Sequence, residues 1–294
     1  MKRAYCFGHI SAGMLYRIKG NYPAADGYGE IVSAERNFCG EALSSAVVLN
    51  RLGVDVELEG NWLGDTDVGR ETRAFLRREG IDDGAIVTRE GYPGVEEIVI
   101  CDSVSRTVFG RYEDLLFTTR QWEMPTIKKI TRSDIACADP SFGEASCIVA
   151  RTAAENDIPF VAIDAPVDSP LVTRAQIAII SSEFLTRTYG NDGLEKLFDN
   201  YLASCPGLVV FTFGAKALWY GRDCRYTMVP PSVDAVVDTA GAGDSFRAGM
   251  MYGMLQCMSD VDMLQYACAV AAVVVTSSPG VLGFVPTEHL LSFA

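Results

Sequence analysis

The chain has 294 residues, 49% of them hydrophobic, and a formal charge of −13 from 25 Lys and Arg against 38 Asp and Glu. This length and apolar share suit one large α/β domain or two ordinary ones and argue against disorder. The acidic balance argues against sequence-independent nucleic-acid binding, which needs clustered basic residues, yet a small anion can still bind on a few backbone N–H groups.

The opening MKRAYCFGHISAGM has a basic pair and an apolar run broken at His9, Ser11 and Gly13, and reads as a β-strand rather than a signal peptide. No stretch reaches the roughly 18 unbroken apolar residues of a membrane span. The longest, ACAVAAVVVTSS, reads as a buried helix, so no membrane partner is expected. Nine cysteines are scattered without a C-x-x-C pair, which points to reduced thiols in the cytoplasm rather than disulfides or zinc.

Further along, residues 41–52 place Leu43, Val47, Val48 and Leu52 on a helical stripe that Gly53 ends. VDVELEGNWLG alternates as a strand, and DVGRETRAFLRREG reads as a helix with Gly80 at its C-terminal cap. DIACAD, PFVAID, IAIIS and GLVVFTFG are compact apolar runs suited to central parallel strands, with helices near 144–156 and 191–204 among them. The alternation predicts an α/β fold, a mostly parallel sheet with helices on both faces, within one domain over 1–294. Two regions break the pattern. Residues 14–38 lack helical periodicity, and 94–113 read as a hairpin turning near Asp102–Ser105. Together they form either a small β-lid or a pair of surface hairpins.

The densest signal is VVDTAGAGDSFRAGM, Val236 to Met250. A helix follows, with Phe246, Met250, Gly253 or Met254 and Cys257 expected on one face. Gly241, Ala242 and Gly243 therefore lie at a helix N-terminus, where the first N–H groups lack intrahelical partners and the dipole favours negative charge. Residues this small let an anion approach the backbone. A carboxylate beside that anion, Asp244, makes sense as a base for an attacking hydroxyl while the backbone of Ala240–Gly243 stabilises a transferring phosphoryl group. With an unperturbed pKa of about 3.9, Asp244 is expected to be ionised at neutral pH. Taken alone, a short G-x-G-D also fits a plain glycine-rich helix start.

DTAGAGDSFRAG resembles the second signature of the ribokinase-like, or PfkB, carbohydrate kinases, D-T-x-G-A-G-D-x-F-x-A-G, at every fixed position. Residues 39–69 resemble the family's first signature through Gly40, Ala46, Leu52, Gly53, Gly64, Asp65, Asp67 and Gly69. Cys39 replaces its first glycine, and Ser44 stands where the family has a sugar-contacting asparagine. GLVVFTFGAKALWYG resembles a strand-loop-strand that would put Thr212 and Gly214 near nucleotide phosphates, with Ala217 in place of a final glycine. SSPGVLG resembles the segment lining the adenine pocket, with Gly280 at its turn. The likeness is specific over 236–249 and weak between about 115 and 205.

The resemblance implies a ribokinase-like fold and ATP-dependent phosphorylation of a sugar-like alcohol, with Mg²⁺ bridging the phosphates. It implies Asp238 and Thr239 at a monovalent cation, K⁺ being the candidate, and a homodimer formed through the lid. Glu183, at the place of an N-x-x-E motif, would serve a Mg²⁺ hydration shell or simply start a helix. NYPAAD resembles a ketohexokinase-like acceptor motif, so Asp26 would bind sugar hydroxyls or be a turn residue. RTVFGRYEDLL resembles fructoselysine 6-kinase-like members; Arg106 and Arg111 would meet an anionic acceptor or stand solvated. Gly13 stands where the family's usual acceptor aspartate lies. A nucleoside kinase of the same family, and a non-catalytic nucleotide- or sugar-binding protein on the same scaffold, are the competing readings. A dinucleotide oxidoreductase fails, because no G-x-G-x-x-G follows the first strand.

Overall fold

The computed structural model describes residues 1–102, 106–113, 119–233, 235–287 and 290. The strands in chain order are β1 (Arg3–Gly8), β2 (Ser11–Ile18), β3 (Ile31–Cys39), β4 (Asp55–Gly60), β5 (Leu63–Gly64), β6 (Thr88–Arg89) and β7 (Glu96–Cys101). They continue as β8 (Arg106–Gly110), β9 (Ile135–Ala138), β10 (Phe160–Ile163), β11 (Ile177–Ser181), β12 (Leu208–Thr212), β13 (Leu218–Gly221) and β14 (Tyr226–Met228). The α-helices are α1 (Glu41–Arg51), α2 (Asp67–Glu79), α3 (Ile127–Ile130), α4 (Glu144–Glu155), α5 (Ser182–Tyr189), α6 (Leu194–Ser204), α7 (Ala242–Leu255) and α8 (Asp260–Val275). Among the described residues no helix is long and apolar enough to cross a membrane.

An eight-stranded sheet runs β14-β13-β12-β11-β10-β9-β1-β4, parallel except where β13 meets β12 and β14. Its strands are buried on both faces, which is why they read as unbroken apolar runs. Successive residues alternate between two cores: Ala4 and Cys6 of β1 join one, Tyr5 and Phe7 the other. Leu208 and Val210 of β12 divide from Val209 and Phe211 in the same way. One core receives α1, α2, α7 and α8, and the opposite core receives α4, α5 and α6. Burying each such aliphatic or aromatic side chain contributes about 1.5–3 kcal/mol relative to exposure.

Helix α7 corrects one expectation. Instead of a single apolar stripe, every residue from Ser245 to Gly253 is buried, and Cys257 lies beyond the helix, exposed, with φ 56°. The cause is close packing. A Cβ on Gly249 would lie 2.6 Å from the Ala267 Cα, and one on Gly253 would lie 2.7 Å from the Met263 Cγ of α8.

A separate four-stranded sheet, β3-β2-β7-β8, is built from the two excursions at 14–38 and 94–113 together with residues beside them. Here β2 is antiparallel to β3 and parallel to β7, and β7 and β8 form an antiparallel pair. Of the expected turn, Ser103–Ser105 lie outside the described residues. A Cβ on Gly13 would lie 1.7 Å from the Glu97 carbonyl oxygen, so the backbone approach of β2 and β7 leaves no room for a side chain there.

Candidate active site

Several polar residues gather where the parallel strands end. His9 follows β1, Asp139 follows β9, Asp164 follows β10, Ser181 ends β11 and Thr212 ends β12. Open α/β sheets bind ligands at this carboxyl edge. The start of α7 and one face of the small sheet stand over part of it, enclosing a cavity of about 280 Å³. His9, Glu41, Ser44 and Asp244 line it from the main body, and Glu97, Arg106 and Tyr112 from the small sheet and the residues after it.

The segment before α7 is shaped by two glycines with different duties. Gly241 has φ 75°, and a Cβ there would lie 2.3 Å from the Val281 Cγ2, so both conformation and packing demand glycine. Gly243 is exposed, and a Cβ there would meet nothing within 4 Å. The fold therefore does not require Gly243; an approaching ligand would. The expectation that all four amides of Ala240–Gly243 face an anion needs correcting. The Ala240 N–H donates to Asp238 Oδ1 at 2.9 Å, and the Ala242 N–H to the Thr239 carbonyl at 3.3 Å. Gly241 and Gly243 carry the amides that can turn to a ligand.

Behind Asp244 lies a buried charge network. Arg247 Nη1 donates to Asp139 Oδ1 at 2.7 Å, Nε to Ser45 Oγ at 3.0 Å and Nη2 to the Glu41 carbonyl at 2.6 Å. Ser45 Oγ in turn donates to the Asp244 carbonyl at 3.0 Å, and Asp139 Oδ2 accepts the His9 N–H at 2.7 Å. Asp244 keeps an opening to the cavity but is otherwise surrounded by protein. Burial pushes its pKa up to about 8; Arg247 opposes the rise, and Glu41, Asp139 and Asp164 add to it. Burial therefore favours the protonated form of Asp244 more than in a solvated aspartate.

Two further carboxylates flank the cavity. Glu41 lies 3.3 Å from His9 Nδ1. Burial works against its ionisation, yet the hydrogen bond and charge of His9 hold its pKa down at about 2. Glu97 accepts from Cys39 Sγ at 2.6 Å, from Asn37 Nδ2 at 3.5 Å and from the Tyr112 hydroxyl. The cost of burying the thiolate, with Glu97 beside it, keeps the Cys39 thiol protonated.

Of the residues singled out from sequence, Gly40, Ser44, Ala240, Gly241 and Asp244 line the cavity together with Arg106, and Ala242 and Gly243 adjoin them in α7. Thr212 and Gly214 lie farther along the same sheet edge, around the end of β12. Gly280 packs beneath the loop before α7, where a Cβ would lie 2.6 Å from the Ala240 carbonyl oxygen. Asp238 is buried, and its Oδ2 has no hydrogen-bond partner among the described residues; Thr239 beside it is exposed. Three residues stand apart. Asp26 sits exposed in the β2–β3 connection at φ 63°, a turn residue. Glu183 starts α5, its side chain 84% exposed and 3.8 Å from Arg187. Arg111 is outside the cavity wall, its N–H bonded to the Glu96 carbonyl. No group of three or more His, Cys, Asp or Glu side chains that could hold a metal occurs among the described residues.

Sequence reasoning passed over His9, Glu41, Glu97, Tyr112, Asp139 and Arg247. Two of them left a signal. Arg247 interrupts an apolar helical run, and Asp139 ends an apolar strand; a charge in such a place needs a partner.

A family model described as pfkB family carbohydrate kinase matches residues 1–287. Over 71 residues the chain is 46% identical to 1-phosphofructokinase of Escherichia coli (strain K12), covering 24% of this chain and only 22% of that protein. Over 233 residues it is 24% identical to fructoselysine 6-kinase of Shigella flexneri, covering 79% of this chain and 87% of that protein. The solved structure of Arabidopsis thaliana ribokinase complexed with ribose and ATP superimposes with a TM-score of 0.79 at 17% identity, covering 99% of this chain and 98% of that one. The fold is ribokinase-like, and the chain belongs to the pfkB family of carbohydrate kinases.

Proposed function

We propose that this chain transfers the γ-phosphoryl group of ATP to a hydroxyl of a sugar or sugar-like small molecule. The observation that carries the reading is the placement of Asp244 on the cavity wall, beside the Gly241 and Gly243 amides at the start of α7. The similarity to a ribokinase bound to ribose and ATP supports both the donor and a sugar-like acceptor. ATP would lie along the carboxyl edge past Thr212 and Gly214, with Gly280 near its base and its phosphates toward Gly241.

The acceptor hydroxyl would lie against Asp244, which takes its proton as the new O–P bond forms. Burial, which raises the Asp244 pKa to about 8, makes its ionised form a stronger proton acceptor than a solvated aspartate, and the step draws on that ionised form. The Gly241 and Gly243 N–H groups would hold the transferring oxygens in a preorganised cradle. Mg²⁺, when bound, would neutralise the phosphates; Glu183 fits only its outer hydration shell, because the side chain is exposed and no metal-holding carboxylate cluster accompanies it among the described residues. Asp238 Oδ2, buried without a hydrogen-bond partner among the described residues, fits a monovalent cation such as K⁺, with Thr239 alongside. The small sheet would act as a lid that keeps water from the reacting phosphoryl group. Its outer face exposes the paired residues Ile98 and Phe109, which a second copy of the chain would cover.

The test is ADP release from ATP with a panel of sugars, sugar amines and nucleosides. ADP above the acceptor-free rate with at least one compound is expected; none with any compound overturns the reading.

A further inference from the structure

His9 has no part in the phosphoryl transfer just described, yet it is held with unusual care. It follows β1 and lines the cavity. Its N–H donates to Asp139 Oδ2 at 2.7 Å, which fixes the main chain, and its Nδ1 lies 3.3 Å from Glu41 Oε2, which fixes the ring. Gly40 permits the close approach, since a Cβ there would lie 2.3 Å from the His9 carbonyl oxygen. The other ring nitrogen, Nε2, is shielded from solvent and has no hydrogen-bond partner among the described residues. Tyr112 meets the ring edge-on, centroids 5.0 Å apart, but its hydroxyl is turned to Glu97.

Buried polar atoms without partners are rare, and a site that meets a ligand is one place to expect them. Burial opposes a charged imidazole, but the Glu41 hydrogen bond and the charges of Glu41, Asp139 and Glu97 outweigh it and raise the pKa of His9. We propose that His9 is a specificity-determining residue whose Nε2 hydrogen-bonds a hydroxyl of a polyhydroxy acceptor, while Glu97 accepts from a neighbouring hydroxyl of the same molecule. The inference rests on the kinase reading above. It also accounts for Gly13: β2 has no room for a side chain there, with a Cβ falling 1.7 Å from the Glu97 carbonyl oxygen, so the acceptor takes its polar contacts from His9 and the Glu97 carboxylate instead.

The experiment starts from wild-type ADP release with D-fructose, D-ribose, fructoselysine and inosine, and continues with the best of the four. His9→Phe keeps a flat ring without an N–H. It is expected to raise the acceptor KM about tenfold or more, with the ATP KM within about twofold. An unchanged acceptor KM overturns the proposal. A second measurement does not depend on that variant folding. The chain has two histidines, so ¹⁵N-histidine-labelled His289→Gln protein reports on His9 alone. Saturating acceptor is expected to shift the Nε2 resonance, and a resonance that stays put overturns the proposal. Wild-type protein that releases no ADP with any of the four compounds sinks the kinase reading and this inference with it. An active wild type with a silent His9 sinks this inference alone.

Discussion

Arg247 and Asp139 form an ion pair at 2.7 Å with both side chains withdrawn from solvent, joining the middle of α7 to the end of β9. Two ions are buried so close together only if each is the other's partner. Arg247→Met should therefore cost about 3–5 kcal/mol of stability, because Asp139 is left as an unpaired buried charge. Arg247→Met with Asp139→Leu should cost clearly less than the sum of the two single changes. Urea unfolding of the four proteins checks this, and additive losses would show that the pair does not couple.

Asp244→Asn should lower kcat at least about a hundredfold with little change in ATP affinity, since it removes the proposed base and leaves the amides in place. Steady-state kinetics with an accepted sugar decide it. Near-normal turnover would remove Asp244 from its assigned role.

The same variant should remove one contribution to the pH dependence of stability. The folded pKa of Asp244 is about 8, above the roughly 3.9 of an unfolded aspartate. Between those values the folded chain holds a proton that the unfolded chain does not, so this residue's contribution to stability falls as pH rises and levels off above about 8. Urea midpoints at pH 5 and pH 9 should therefore drop more for wild type than for Asp244→Asn. Parallel drops would mean that Asp244 is ionised like a surface carboxylate.

Gly241→Val and Gly243→Val should part company. The first forces a branched side chain into φ 75° and against Val281, and should lower the melting temperature. The second meets no protein atom within 4 Å, so stability should stay within about 0.5 kcal/mol while ATP-dependent turnover falls. A folded Gly243→Val protein with unchanged kinetics would count against the amide cradle.

Gly13→Asp restores the family's usual acceptor carboxylate on paper, but the side chain would be driven into the Glu97 backbone. Loss of about 1–3 kcal/mol is expected, with no gain in acceptor affinity. Thermal melts and acceptor KM test both halves.

Much of the main sheet was legible in the sequence. IAIIS and GLVVFTFG are buried on both faces, so their local composition already carries the tertiary message. The start of α7 was legible because two glycines, small neighbours and one carboxylate make a local pattern. His9 and Arg247 were not, since their meaning depends on partners far along the chain. Arg247 reaches Asp139 across 108 positions and the Glu41 carbonyl across 206. The raised pKa of Asp244 was not legible for a related reason: a solvated reference value omits burial and the neighbouring carboxylates, neither of which is written near Asp244 in the sequence.

Ser45 donates to the Asp244 carbonyl from 199 positions away, and Arg51 reaches the Phe284 carbonyl from 233. A ribosome working from the amino end must therefore make most of the polypeptide before α1 meets the helix that covers it. Until then the oily side of α1 faces water and Asp139 waits without its counter-ion, so the nascent chain has a long window in which a chaperone that grips apolar grooves has something to hold.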